Sequence, residues 1–186
     1  MSSLWVILGV IAALAIFIIG IYNRLVALRQ TCNQAWSDIE VQLKQRQDLV
    51  PQLVNTVKGY AAHEKETLNE VIAARNAAVS AGNPAGQAQA EGLLGAALGK
   101  LFALAEAYPD LKANQNFLQL QDELSDVEDK IAAARRFYNN SVQEYNTATE
   151  QFPNNFIAGP FGFVKREFFE AIEGREALET PVEVKF

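Results

Sequence analysis

Apolar residues recur at helical spacing over most of this chain. From Leu4 to Tyr22 nearly every residue is apolar, and no charged side chain occurs before Arg24. Such a run is close to the roughly 20 residues a helix needs to cross about 30 Å of hydrocarbon. The pattern then narrows to a stripe: Leu25, Leu28, Cys32, Trp36, Ile39, Leu43, Val50, Leu53, Val57 and Tyr60 follow helical spacing on one face, with polar residues between them. Arg46 stands where the next apolar residue is due.

No Gly or Pro interrupts the chain between Asn23 and Pro51, so the spanning helix is expected to run straight on into the stripe. Pro51 lacks a backbone donor and predicts a kink or a break, and Gly59 weakens the helix again. Helix formers return from Asn69 to about Val79, and Ser80 to Gly86 is a cluster of turn formers that predicts a loop. A second segment, about Gln87 to Tyr108, carries Leu94, Leu98, Leu101, Leu104 and Ala105 on one side, with Gly92, Gly95 and Gly99 either allowing close helix approach or loosening the helix for a partner. Tyr108-Pro109-Asp110-Leu111 predicts a turn, with Asp110 placed to cap the next long helix.

The third segment, about Asn114 to Glu150, repeats Phe117, Leu120, Leu124, Val127, Ile131, Ala134, Tyr138, Val142 and Tyr145 at three and four, and puts charges on its other faces. After Phe152-Pro153 the tail changes: Phe156, Phe161, Phe163, Phe168, Phe169 and Phe186 make it aromatic, and Gly159-Pro160 and Gly162 oppose regular helix. A short helix over Glu167 to Leu178 and an extended Pro181 to Val184 are expected there. These rings are costly to leave in water, so the tail packs on the bundle, a partner subunit or the membrane surface. The chain is thus all-α: an N-terminal transmembrane anchor (1–23), an antiparallel bundle of long helices (24–152) and a Phe-rich tail (153–186).

Details of the first run favour an anchor over a cleaved signal. No basic residue precedes it, and Ile16-Phe17-Ile18-Ile19 continues beyond Ala13-Leu14-Ala15. Trp5 and Tyr22 bracket it as interfacial aromatics do, and Arg24 and Arg29 on its C-terminal flank favour a single-pass protein with the bundle in the cytoplasm. Gly9 and Ala13 form a small-residue pair that either lets two such helices associate or is ordinary membrane filler.

Charge narrows the function. The net charge is −6, with 16 Lys and Arg scattered among 22 acids, which opposes binding to nucleic acid. Cys32 is the one cysteine, so no intrachain disulfide forms; on the apolar stripe it reads as a small inert hydrophobe. Catalytic motifs fail on inspection. His63-Glu64-Lys65-Glu66-Thr67 begins like a zinc-protease helix, but Thr67 replaces the second histidine, and the chain has one His. Gly99-Lys100 lacks the remaining residues of a phosphate loop, and no nucleotide fingerprint or nucleophile elbow occurs. Paired acids such as Asp122 and Glu123 are expected on solvated faces. No cofactor or metal is implied. Arg46 is either buried against Asp48 or an acid of the third segment, or snorkels from the stripe's edge.

Several stretches together resemble the LemA family: Trp36-Ser37-Asp38-Ile39, then Arg46, Asp48-Leu49-Val50-Pro51, Val57-Lys58-Gly59-Tyr60 and His63-Glu64. Glu106-Ala107-Tyr108-Pro109-Asp110-Leu111, Arg135-Arg136-Phe137-Tyr138-Asn139 and Phe152-Pro153 continue the likeness in the same order. The resemblance implies an anchored bacterial helical-bundle protein with no established catalytic activity. Some relatives look like magnetosome-membrane proteins, and neighbouring genes suggest membrane proteases or other envelope proteins as company. Lipoprotein-like relatives imply an extracytoplasmic bundle, so both sides of the membrane stay open. Three functions are then in play: a non-catalytic scaffold that self-associates and organises or remodels the membrane, an adaptor holding another envelope protein, or an unrecognised enzyme. Partners are then membrane lipid, further copies of the chain in a homo-oligomer, and another envelope protein. Self-association is assigned to Gly9, Ala13, Phe161, Phe163, Phe168 and Phe169.

Overall fold

The computed structural model describes residues 2–169. Within them the chain is all-α: α1 (Ser2–Lys58), α2 (Lys65–Ser80), α3 (Pro84–Ala105), α4 (Pro109–Lys112), α5 (Gln115–Glu150) and α6 (Asn155–Ala158). Phe186, the extended Pro181 to Val184 and most of the short helix expected from Glu167 lie outside the described residues.

The chain divides into two compact units. Among the described residues one, called the anchor unit below, takes 2–38 and 136–167; the other, the ion-paired unit, takes 39–135 together with Phe168 and Phe169.

In the anchor unit the first helix leaves its apolar run almost bare. The most apolar stretch of α1 is only 6% buried within the chain, which is unlike a core helix and supports a membrane location. Burial begins at Leu25 and continues with Cys32 and Ala35. The end of α5 lies antiparallel to this part of α1: Trp36 packs on Tyr138 with ring centroids 5.4 Å apart, while Arg24 shares a cleft with Thr147 and Gln151. Tyr138, Val142 and Tyr145 supply the buried stripe from α5.

The ion-paired unit is built from the rest of α1, then α2, α3, α4 and the first part of α5. Helices α2 and α3 run antiparallel, as shown by contacts from Glu64 to Tyr108, Glu70 to Lys100 and Ala78 to Gln87. Tyr60 meets Asn114 and Arg46 meets Glu128, so α1 and α5 are antiparallel here too. Ile39, Leu43, Val50, Leu53, Val57, Val71, Leu94, Leu98, Leu101, Leu124, Val127 and Ile131 form the core.

Two local expectations need correction, and a third is narrowed. Of the kink or break expected at Pro51 the break is absent, since α1 continues to Lys58. The missing amide at Pro51 orphans the carbonyl of Gln47 four residues earlier, and the Nε of Arg75 on α2 donates to that oxygen at 2.9 Å. Helix α3 starts at Pro84, within the expected loop, because the turn formers are themselves its cap: Asn83 accepts from the Gly86 amide and Pro84 occupies the first turn. Asp110 is not the cap of the third long helix. It sits in the first turn of α4, and Asn114 caps α5 by accepting from the Phe117 amide at 3.0 Å.

The expected opposition to helix after Phe152 is seen. One turn, α6, is followed by Gly162 at φ 70°, a left-handed conformation that a residue with a Cβ rarely adopts.

Candidate functional site

The chemistry of the ion-paired unit centres on Arg46. Its side chain is 5% exposed and reaches Glu91 Oε2 at 2.6 Å and Glu128 Oε1 at 2.5 Å. It also donates to the Glu91 carbonyl, while Gln47 and Gln87 donate to the other Glu91 oxygen. Of the two readings of Arg46, burial with a partner is therefore the observed one. Asp48 takes no part; it accepts from Lys44 on the exposed side. Gly95 leaves room for the cluster: a Cβ there would stand 3.3 Å from the Arg46 guanidinium, which would have to give by a few tenths of an ångström. Gly92 and Gly99, read with it as points of close approach, face open space.

Such a cluster holds helices in register: one cation ties carboxylates from two other helices, Glu91 on α3 and Glu128 on α5, while the Arg46 Nε is buried without a partner. Beside it, α3 and α5 enclose a cleft of about 350 Å³ lined by Gly95, Gly99, Phe102, Gln121, Ser125 and Asp129 as well as Arg46 and Glu128.

The remaining family-motif residues shape turns and packing. Glu64 accepts from the Tyr108 hydroxyl at 2.9 Å, a bond that pushes the Tyr108 pKa above its usual value. Tyr60 accepts from Asn114. His63 is exposed in the turn before α2. Arg135 lies over the ring of the buried Phe169, and Asn139 is half-buried. Among the described residues no three His, Cys, Asp or Glu side chains are grouped to hold a metal.

In the anchor unit the aromatic tail returns to the anchor. Tyr22 meets Phe161 and Phe163 edge-on at 5.2 and 5.5 Å, and Arg29 lies 5.0 Å from the Phe163 ring. Phe163 is buried, while Phe152, Phe156 and Phe161 are exposed by 79%, 71% and 56%. Of the other residues assigned to self-association, Phe169 is buried in the ion-paired unit, and Phe168, Gly9 and Ala13 are exposed. Trp5 is 72% exposed. Cys32 is fully buried; burial, the largest influence, raises its thiol pKa, against a smaller lowering by Arg166.

Several important side chains were not singled out by the sequence. Glu91 had a signal, being the one acid inside the apolar α3. Pro51 announces an orphaned carbonyl but not that Arg75 answers it. Asn146 and Arg166, which clasp the tail through Nδ2 to Arg166 O and Arg166 N to Oδ1, both at 2.9 Å, leave no trace in any periodicity.

The model of the LemA family matches residues 35–186. Magnetosome protein MamQ 1 of Paramagnetospirillum magneticum is 27% identical over 202 residues, covering 95% of this chain and 73% of that protein. Magnetosome protein MamQ of Magnetospirillum gryphiswaldense is 28% identical over 187 residues, covering 87% and 68%. Protein LemA of Metamycoplasma hominis is 28% identical over 159 residues, covering 83% and 71%.

Proposed function

The chain belongs to the LemA family, and from that premise we propose that it is a non-catalytic, membrane-anchored scaffold that self-associates and organises or remodels a bacterial membrane. The observation that carries this reading is the outward face of α3. Ala85, Gln89, Gly92, Ala96, Gly99 and Ala103 recur along it at four and three, all exposed. A Cβ at Gly92 or Gly99 would meet nothing within 4 Å, and Leu93 beside them is 54% exposed. Of the charges in α3, Glu91 is buried and only Lys100 faces out. A face with little bulk and little charge favours close approach of the same face on a second copy. The likeness to magnetosome proteins, together with the exposed apolar anchor, supports a role at a membrane.

Crosslinking in membranes tests the self-association. Ala96→Cys in the full chain, with Cys32→Ala, is expected to form a covalent dimer under mild oxidation, whereas Asp122→Cys on α5 is not. No crosslink at position 96, with helix content intact, contradicts the proposal. Arg24 and Arg29 favour a cytoplasmic bundle; a reporter fused after Phe186 tests that orientation, and an extracytoplasmic signal overturns it. The cleft between α3 and α5 favours a second reading, an adaptor that seats a segment of another envelope protein beside Arg46 and Asp129.

A further inference from the structure

We infer that Phe152, Phe156 and Phe161 form an aromatic collar that enters the lipid leaflet where the α1 span emerges, so that the chain is held by two membrane contacts. This rests on membrane anchoring and is independent of self-association. All the residues concerned belong to the anchor unit.

Depth is the first argument. Phe152 and Pro153 share a cleft of about 400 Å³ with Phe17, Gly20, Ile21 and Arg24 of α1. Phe17 to Ile21 belong to the apolar run, and Phe17 lies roughly 7 Å along the helix axis from Tyr22. The Phe152 ring thus sits at the last turns of the span, where headgroups give way to acyl chains. Phe161 sits against Tyr22, the aromatic that marks the same boundary.

Presentation is the second. These rings are exposed but not frayed. Asn154, buried beneath them, donates to the Ala148 carbonyl at 3.0 Å, and Ile157 and Ala158 are buried beside it. The Phe163 amide closes the loop onto the Ala158 carbonyl at 2.9 Å, and Asn146 fixes Arg166 just beyond. Phe152 and Phe156 meet edge-on at 5.9 Å, so they form one apolar surface held outward by a hydrogen-bonded frame. Exposed to water, that surface is costly; at the boundary of headgroups and acyl chains it is favourable, as for interfacial helices whose apolar side lies about 5–10 Å deep.

Charge is the third. Arg24 lines the same cleft and is placed for lipid phosphate, while the nearby Glu150 carboxylate is paired with Lys165. No acid lines that cleft; Glu144 lies with Arg24 in the neighbouring one, toward the bundle side of α5.

Spin-label accessibility decides the matter. Phe152→Cys, Phe156→Cys, Phe161→Cys and, as a milder neighbour, Asn155→Cys are made singly in the full chain with Cys32→Ala, labelled with a nitroxide and reconstituted in phosphatidylcholine–phosphatidylglycerol vesicles. Asp122→Cys on α5, exposed and away from the α3 face, serves as the aqueous reference. At the three phenylalanine sites the ratio of oxygen to nickel-complex collisions is expected to be several-fold above that at position 122. Nickel access equal to the reference would place the collar in water and overturn the inference. Low access to both reagents would mean that a second copy covers the rings, which also overturns it. Neither result bears on the α3 crosslink.

Discussion

The two units close their interiors by opposite means. In the ion-paired unit a cation is buried at the centre, and the helices around it supply Glu91, Glu128 and the amides of Gln47 and Gln87. In the anchor unit the corresponding tasks fall to rings and neutral hydrogen bonds: Trp36 on Tyr138, Tyr22 on Phe163, Tyr138 donating to the Glu167 carbonyl, and Asn146 holding Arg166. Surfaces differ in the same sense. The anchor unit displays phenylalanines beside the apolar span, whereas acids, lysines and the small residues of α3 cover much of the other unit. The difference teaches where each unit's specificity comes from. A buried ionic cluster tolerates one arrangement of helices and punishes any other, while aromatic packing tolerates adjustment and can be shared with lipid.

The comparison breaks most visibly at Arg46. Arg46→Ala leaves Glu91 buried without its cation and is expected to destabilise the chain by about 3–5 kcal/mol, read from urea unfolding in micelles. Adding Glu91→Leu to Arg46→Met should restore most of that loss, because the remaining partner, Glu128, is 44% exposed and can be solvated. A cost below about 1 kcal/mol for the single variant would show that the cluster does not specify the unit.

In the anchor unit the prediction contrasts two phenylalanines. Phe163→Ala is expected to cost about 3 kcal/mol, as for a large core side chain, whereas Phe152→Ser should change stability in micelles by less than about 0.5 kcal/mol. Equal costs would mean that the division into packed and displayed rings is wrong.

A smaller effect sharpens the Pro51 account. Arg75→Met keeps the stem but removes the donor to Gln47, at a cost of about 1–3 kcal/mol. Pro51→Ala returns an amide to that carbonyl, so it should suppress much of the Arg75→Met loss; simple additivity of the two variants would refute the link.

At neutral pH the last effect is nil. Burial raises the pKa of Tyr138 and Tyr145 above the ordinary 10.0. The folded state therefore holds these protons more tightly than the unfolded chain, and the stability they contribute is intact below pH 10 and lost as pH rises through their folded values. Phenolate absorbance should show them titrating later than the phenols of the urea-unfolded chain, with helix loss accompanying the late phase.

Much of this architecture was legible in the sequence because periodicity reports burial directly. The stripes on α1 and α5 fall where the structure buries them, with Leu28, Trp36, Leu120 and Ala134 half-buried and Tyr60 exposed with its hydroxyl bonded to Asn114. The break in phase at Arg46 was legible too, but its partner was not: an acid from the third long segment, now seen as Glu128, stood beside Asp48 and a snorkelling side chain as alternatives. What stayed hidden depends on contacts between elements. Pro51 reads as a kink or a break because local rules cannot see Arg75, 24 residues on. The turn formers before α3 read as loop because a capping asparagine and a first-turn proline look alike inside and outside a helix. The tail's aromatic content was plain, but which rings turn inward depends on the Asn146 and Asn154 hydrogen bonds.

On the proposed function this LemA-family chain acts by assembling on a membrane. Mass photometry of the full chain in nanodiscs tests it most directly. The account predicts particles holding more than one chain, reverting to single chains on Ala96→Glu, together with reshaping of liposomes by the unaltered protein. Strictly single-chain particles and unchanged liposomes would contradict it.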